Sequence, residues 1–364
     1  MTARPHCLAA RPEFGRLFEG VHIRREPAAI GGNEAMAADP LSDLLKTVRL
    51  TGAVFFEIAA EEPWAVESPP RELILPKILP GADHLIAYHV VTTGRCFATA
   101  VGGQAMLLEA GQVVVFTNGQ PHIMSSGPNM PADPPMPDVL EVAASGQKPF
   151  CINFGSGAAS VRLVCGYLAC DARPYNPLLE NLPPVIMAGD PRNSGDGWLA
   201  QFVRFAVAEA ADKHAGSESV LTKLSELMFI DVVRRYLEKL PPEQAGWLAG
   251  LRDPLVGKAL SLMHAKPAYN WTLEDLAKQA GLSRSVLAER FTQFVGIPPI
   301  QYLTKWRMQI AAELLTGSDI NVASIAAQIG YESEAAFSRA FKKMIGVAPS
   351  AWRRTILEAR AAAS

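Results

Sequence analysis

The chain has 364 residues, 49% of them hydrophobic and 19% charged, with a formal net charge of −2 at pH 7. That composition excludes a disordered or fibrous polypeptide, and the length exceeds what one hydrophobic core usually organises, so two or more domains are expected. No stretch approaches the roughly 18 uninterrupted apolar residues of a membrane span, and no membrane partner is expected.

Residues 1–39 hold scattered Gly, Pro and Arg without period and read as a disordered segment or an over-long translation start, with Met36 as the alternative initiator. Arg4, Arg11, Arg16, Arg24 and Arg25 mix with Glu13, Glu19 and Glu26, which leaves no apolar core for a signal peptide. From Pro40 the pattern sharpens: LSDLLKTV sets Leu41, Leu44, Leu45 and Val48 on one helical face. Strand-like runs follow at 53–59, 84–91, 95–101, 105–116 and 149–155, punctuated by Gly, Pro and Asn-Gly. They predict a small all-β barrel or sandwich within 40–190. The proline-dense GPNMPADPPMP (127–137) can only be a loop. Helical spacing returns at 198–211 and 219–240, a helical pair within 191–240 that either caps the barrel or forms a homodimer seam. Residues 241–252 then read as a linker and natural hinge.

Cys7, Cys96, Cys151, Cys165 and Cys170 show neither C-x-x-C pairing nor zinc-finger spacing, which fits a reducing, cytoplasmic setting. Charge is unevenly spread: from Asp253 onward thirteen Lys/Arg stand against nine Asp/Glu, leaving +4 there and −6 in residues 1–252. A basic end on an acidic body points to a polyanionic partner.

That basic end repeats one pattern. LEDLAKQAGLSRSVLAERFTQFVG, after Thr272, predicts a short helix, a turn at Gly281, a cap at Ser283 and a second helix holding Val286, Leu287, Phe291 and Phe294. VASIAAQIGYESEAAFSRAFKKMIG, after Asn321, repeats it with Gly330, Ser333 and a helix holding Ala336, Phe337, Ala340 and Phe341. Glycine supplies the left-handed turn, and the serine oxygen starts the next helix by accepting from its free N–H groups. Leu287 and Phe291, or Phe337 and Phe341, then point at the first helix of each unit. The free faces carry Arg284, Ser285, Ala288, Glu289 and Thr292 in one copy and Glu334, Ala335, Ser338, Arg339 and Lys342 in the other. The capping serines are fifty residues apart, and PIQYLTKWRMQIAAELLTG (299–317) between them predicts one uninterrupted linking helix with Tyr302, Leu303, Trp306, Ile310 and Leu314 as its apolar stripe. At a separation of roughly 34 Å both second helices would enter successive major grooves on one side of double-stranded DNA.

IAAQIGYESEAAFSRAFKKMIGVAPSAWR (325–353) and the weaker SRSVLAERFTQFVGIPP (283–299) resemble the DNA-binding domain of the AraC/XylS family of bacterial transcriptional regulators. The resemblance covers 253–355 and implies that the free faces read DNA. Ala288 and Glu289 are a departure, since they offer few donors for guanine, although Glu can accept from cytosine. Direct readout in the first unit then rests on Arg284, Ser285 and Thr292, and in the second on Ser338 and Arg339. Lys342, Lys343, Arg353 and Arg354 are expected at phosphates.

GQVVVFTNGQPHIM (111–124) resembles the second cupin motif, and CGYLACDARPYNPLLENLPPVI (165–186) resembles the part that follows the barrel in the cupin-type regulatory domain of some family members. His122 is a candidate for facing a ligand. The first cupin motif is missing, because His84 and His89 are five apart and face opposite sides of a strand. No metal and no cofactor are expected, although Cys96, Cys151 or Cys165 with His122 could make a mixed site. No nucleophile elbow, P-loop or dinucleotide fingerprint is present. The expected protein is multidomain: an N-terminal all-β cupin-like barrel, a following helical pair, and a C-terminal all-α domain with two helix-turn-helix units joined by a linking helix. It is expected to be a non-enzymatic, cytoplasmic, sequence-specific transcription factor with double-stranded DNA, a small-molecule effector and RNA polymerase as partners; between activation and repression, the resemblance tilts toward an activator. Two alternatives stay open: a metal-dependent cupin enzyme with a DNA-binding appendage, and a ligand-blind regulator whose barrel only dimerises.

Overall fold

Alternation of side chains decides the N-terminal half. The structure, a computed structural model, describes residues 40–47, 50–78, 82, 84–132, 150–170, 175–190, 198–212, 214–241 and 246–363. The expected disordered start at 1–39 and the end of the proline-rich loop lie outside the described residues. After helix α1 (Pro40–Thr47) come strands β1 (Leu50–Ala60) and β2 (Ala65–Glu67), helix α2 (Arg71–Ile78), and strands β3 (His84–Thr93), β4 (Arg95–Ala100), β5 (Met106–Glu109), β6 (Val113–Phe116), β7 (His122–Ser125), β8 (Phe150–Phe154) and β9 (Val161–Cys170). Helix α3 (Pro177–Asn181) and strand β10 (Val185–Ala188) complete this part.

Among the described residues the strands form two sheets rather than one closed barrel: a six-stranded sheet in the order β10-β6-β3-β9-β1-β8 and a four-stranded one in the order β2-β7-β4-β5. Along β3, Leu85, Ala87 and Val91 face the core shared with Cys96, Ala98, Leu108 and Met124 of the smaller sheet. The intervening Ile86, Tyr88 and Val90 enter a second core on the outer face. With both faces covered, the strand reads as an almost continuous apolar run.

The run 105–116, expected as one strand, is broken at Gly111, whose φ of 88° turns the chain, so β5 and β6 lie in different sheets. Residues 165–170, expected to follow the barrel, are part of β9, which pairs with both β1 and β3 at the centre of the larger sheet. A buried strand with no polar alternation carries no periodic mark of itself.

Helices α4 (Trp198–Asp212) and α5 (Ser217–Lys239) lie over the outer face, where Met228, Phe229, Val232 and Val233 join Ile86 and Tyr88. The Ser225 hydroxyl donates to Leu221 O, so the buried Tyr88 hydroxyl donates to Ser225 Oγ at 2.9 Å. The pair therefore caps the sheet, while Phe205 and Leu227 stay 53% exposed on its outer side. The expected linker is helical over Trp247–Arg252 (α6). Its WLAGLR sequence is apolar enough to bury, with Trp247 and Leu248 in the core, and Arg252 Nη1 donates to Leu237 O and Leu240 O at 2.9 and 2.8 Å. A hinge expected there is thus held at both ends.

Replacing Tyr88 by Phe deletes a buried hydrogen bond while keeping its volume. A loss of about 1 kcal/mol in unfolding free energy is expected, measured by chemical denaturation.

Candidate nucleic-acid interface

Five helix starts in the C-terminal half are set by side-chain caps. Asp253 accepts from Leu255 N and Val256 N to open α7 (Pro254–Ala265), with Pro254 in the first turn. Thr272 opens α8 (Leu273–Ala280) through a capping box with Asp275. Ser283 accepts from Val286 N to open α9 (Arg284–Val295), and α10 (Pro299–Gly317) follows. Asn321 opens α11 (Val322–Gln328), and Ser333, accepting from Ala336 N at 3.2 Å, opens α12 (Glu334–Ile345), before α13 (Pro349–Ala363).

The duplication is geometric as well as sequential. α9 and α12 are each 12 residues long, start at a serine and end at a left-handed glycine, Gly296 (φ 78°) or Gly346 (φ 90°). Leu287 and Phe291 are buried in the first unit, Phe337 and Phe341 in the second. Arg284, Ser285, Glu289 and Thr292 are exposed on α9, with Ala288 half-buried. On α12 Glu334, Ala335, Arg339, Lys342 and Lys343 are exposed and Ser338 is half-buried. Val286, some 100° from Leu287 around the helix, is 46% exposed. Arg354 is exposed. Arg353, expected at phosphate, is turned inward: its Nε donates to Leu315 O at 2.8 Å and its Nη2 to Ile320 O. It thereby satisfies the Leu315 carbonyl in the last turn of α10, which has no partner within the helix, and the Ile320 carbonyl in the loop that follows.

The linking helix α10 has the expected bounds and buries Tyr302, Leu303 and Trp306 on one side and Met308, Ala311, Ala312 and Leu315 in the core of the second unit. Sequence reasoning missed the polar contacts that hold these helices. Arg290 on α9 pairs with Asp253, its Nε 3.2 and 3.1 Å from the two carboxylate oxygens. Burial alone would raise the Asp253 carboxyl, but the bonds from Arg290 and from Val256 and Leu255 N–H outweigh it and hold the group below its ordinary value. Arg307 on α10 donates to Pro267 O and Tyr269 O. No motif marks either arginine, since their partners are defined only by folding.

Two family models match the chain: the cupin model over residues 39–238 and a helix-turn-helix domain model over 276–355. A Streptomyces lividans protein whose name is that of an AraC-like transcription regulator is 32% identical over 319 residues, covering 87% of this chain and 98% of its own. The chain belongs to the AraC family of transcription regulators. The HTH-type transcriptional regulator AlkR of Acinetobacter baylyi is 28% identical over 320 residues, covering 87% of this chain and 99% of its own. Among solved structures, the DNA-binding domain of AdpA in complex with a target DNA is 30% identical over 28% of this chain and 92% of that chain, with a TM-score of 0.27. This AraC-family chain therefore regulates transcription through a helix-turn-helix DNA-binding domain, with a cupin domain before it.

Within the cupin domain His122 is buried and has a partner that spacing concealed. His89, on the same side of β3 as Leu85, Ala87 and Val91, places Nε2 2.7 Å from His122 Nε2 and Nδ1 2.8 Å from Cys165 Sγ. His84, as expected, lies on the other side, 2.6 Å from Thr117 O through its Nε2. His122 Nδ1 lies 3.0 Å from Gln120 O and must donate to it, so its Nε2 accepts from His89, whose Nδ1 accepts in turn from the Cys165 thiol. The chain of bonds is satisfied with every group neutral. Burial lowers His122 to about 4 and puts His89 well below its ordinary value, while burial raises the Cys165 thiol. One imidazole sits between the other two groups, and among the described residues no three His, Cys, Asp or Glu side chains converge to hold a metal.

Asp253→Ala removes a helix cap and the partner of Arg290 together. A loss of about 1–2 kcal/mol is expected at neutral pH. Because the folded-state pKa is depressed, the contribution is present above about pH 4 and disappears as pH falls through the folded value. Thermal melts of wild type and variant should therefore differ at pH 7 and draw together as the pH falls below the ordinary carboxylate range.

Proposed function

We propose that α9 and α12 are the two reading helices of a sequence-specific transcription regulator, entering successive major grooves on one face of the duplex. The observation that carries this is their equivalence: same length, same serine start, same glycine end, and one buried linking helix between them. Arg284, Ser285, Ala288, Glu289 and Thr292 meet bases or their immediate surroundings in the first half-site. Glu334, Ala335, Ser338, Arg339 and Lys342 do so in the second, while Lys343 and Arg354 neutralise phosphates. Arg353 contributes by holding the end of α10.

The cupin domain takes a small-molecule effector, and the Cys165, His89 and His122 chain is the polar group inside it best suited to register one. An effector changes transcription only through different affinities for two arrangements of the protein. The chain acts in the cytoplasm on promoters and RNA polymerase, without a catalytic step of its own; the regulator names of its relatives support this. Among the described residues no helix is long and apolar enough to cross a membrane. A homodimer through the outer side of α4 and α5, where Phe205 and Leu227 stand exposed, fits the same scheme.

Binding to duplexes selected from a random library tests the assignment. Arg339→Ala should cost about 1–3 kcal/mol on the selected site and relax one base preference, whereas Lys343→Ala should weaken all sequences alike and lower the salt slope by about 1. Equal losses on selected and random DNA for Arg339→Ala would contradict base reading by that side chain.

A further inference from the structure

A linking helix fixes how far apart two reading units stand, but by itself it does not fix how each is rotated about the helix. Rotation requires a direct contact between the units. That contact exists, and it is centred on Arg307. Halfway along α10, this half-buried side chain donates through Nε to Pro267 O at 2.7 Å and through Nη2 to Tyr269 O at 2.8 Å. Both carbonyls belong to the loop between α7 and α8 of the first unit. Its Cζ also stands 5.9 Å from the centre of the Tyr331 ring, in the turn between α11 and α12 of the second.

The same loop closes on the second unit at another point. Gly330 has φ +81°, and a Cβ there would lie 2.3 Å from Ala268 O. No side chain fits at that distance, so the turn of the second unit and the loop of the first touch backbone to backbone. Ala268 lies between the two residues whose carbonyls Arg307 holds. Linking helix, first-unit loop and second-unit turn thus meet at one place, with Arg307 reaching from the helix to the other two. A planar guanidinium can serve two carbonyls and a ring face at once; a lysine ammonium offers a point charge without that fork.

We propose that Arg307 is the positioning residue that sets the rotation between α9 and α12, and so the number of base pairs separating the two half-sites this protein accepts. The proposal rests on both helices reading DNA. Each base pair of B-DNA turns the duplex by about 34°, so two inserted pairs rotate one half-site by about 70° relative to the other. A protein with its units locked cannot follow that rotation, whereas one with a loosened seam can. If Arg307 only stabilised the first unit, its loss would lower affinity by the same factor at every spacing.

The test uses the full-length chain and a duplex selected by it from a random library. Affinities are measured for that site, for versions with one or two base pairs inserted or removed between half-sites, and for a duplex retaining one half-site. Wild type should lose about tenfold or more on a two-base-pair insertion, comparable to a mismatched base pair. Arg307→Ala and Gly330→Ala should each bind the native spacing more weakly, yet bind the insertion within about threefold of it. Arg307→Lys should fall between, and with Gly330→Ala it carries the test if Arg307→Ala does not fold. Variants that keep the wild-type spacing profile, whatever their melting temperatures, overturn the proposal, as does a wild type that tolerates the insertion. A wild type that selects no sequence at all would instead overturn the DNA-reading assignment on which the proposal stands.

Discussion

The arrangement of this protein depends on α10 being buried into two cores at once. Tyr302, Leu303 and Trp306 pack with residues of the first unit and of the regulatory domain, and Met308, Ala311, Ala312 and Leu315 pack with the second unit. A close-packed helix cannot turn about its own axis without opening voids on both sides, since interiors are packed like crystals rather than liquids. Each core therefore grips its own stretch of α10. One attachment is the regulatory domain, where Tyr175 N donates to Gln309 Oε1 at 3.1 Å and the Lys305 ammonium lies 4.5 Å from the Tyr175 ring.

This has a consequence for how a signal would travel. The outer face of the larger sheet, α5, α6 and the first helix-turn-helix unit contribute side chains to one continuous apolar cluster running from Phe55 to Trp306. Arg252 ties the end of α5 to α6, and Asp253 ties the start of α7 to α9 through Arg290. A change inside the cupin domain would reach α9 through packed contacts rather than across a slack tether. Packed contacts have discrete alternative arrangements, which is what a two-state regulator needs.

The interior of the cupin domain is chemically sparing. Between its sheets the described polar side chains include Cys165, His89 and His122, joined in a line that ends on the Gln120 carbonyl. Phe116 stacks on the His122 ring, with centroids 3.7 Å apart, and keeps it dry. Desolvation holds both imidazoles neutral, so the line can be broken or reversed only by supplying a proton, a ligand polar group or a displacement of a strand.

How much of this was legible beforehand follows from the range of the interactions involved. The paired units, the bounds of α10, the serine caps and the inward Leu287, Phe291, Phe337 and Phe341 all depend on contacts within a few residues, and local sequence determined them. What only the tertiary structure decided depends on partners distant in the chain. β9 lies at the centre of its sheet because β1 and β3 flank it; His89 meets His122 because β3 and β7 lie in facing sheets; WLAGLR is a buried helix because a core was waiting for it. Arg353 turns inward and Arg307 reaches Pro267 and Tyr269 because carbonyls forty or so residues away need donors. A short-range pattern records propensity and periodicity, while long-range pairing leaves no periodic trace in a single sequence, and so it emerged only from the folded chain.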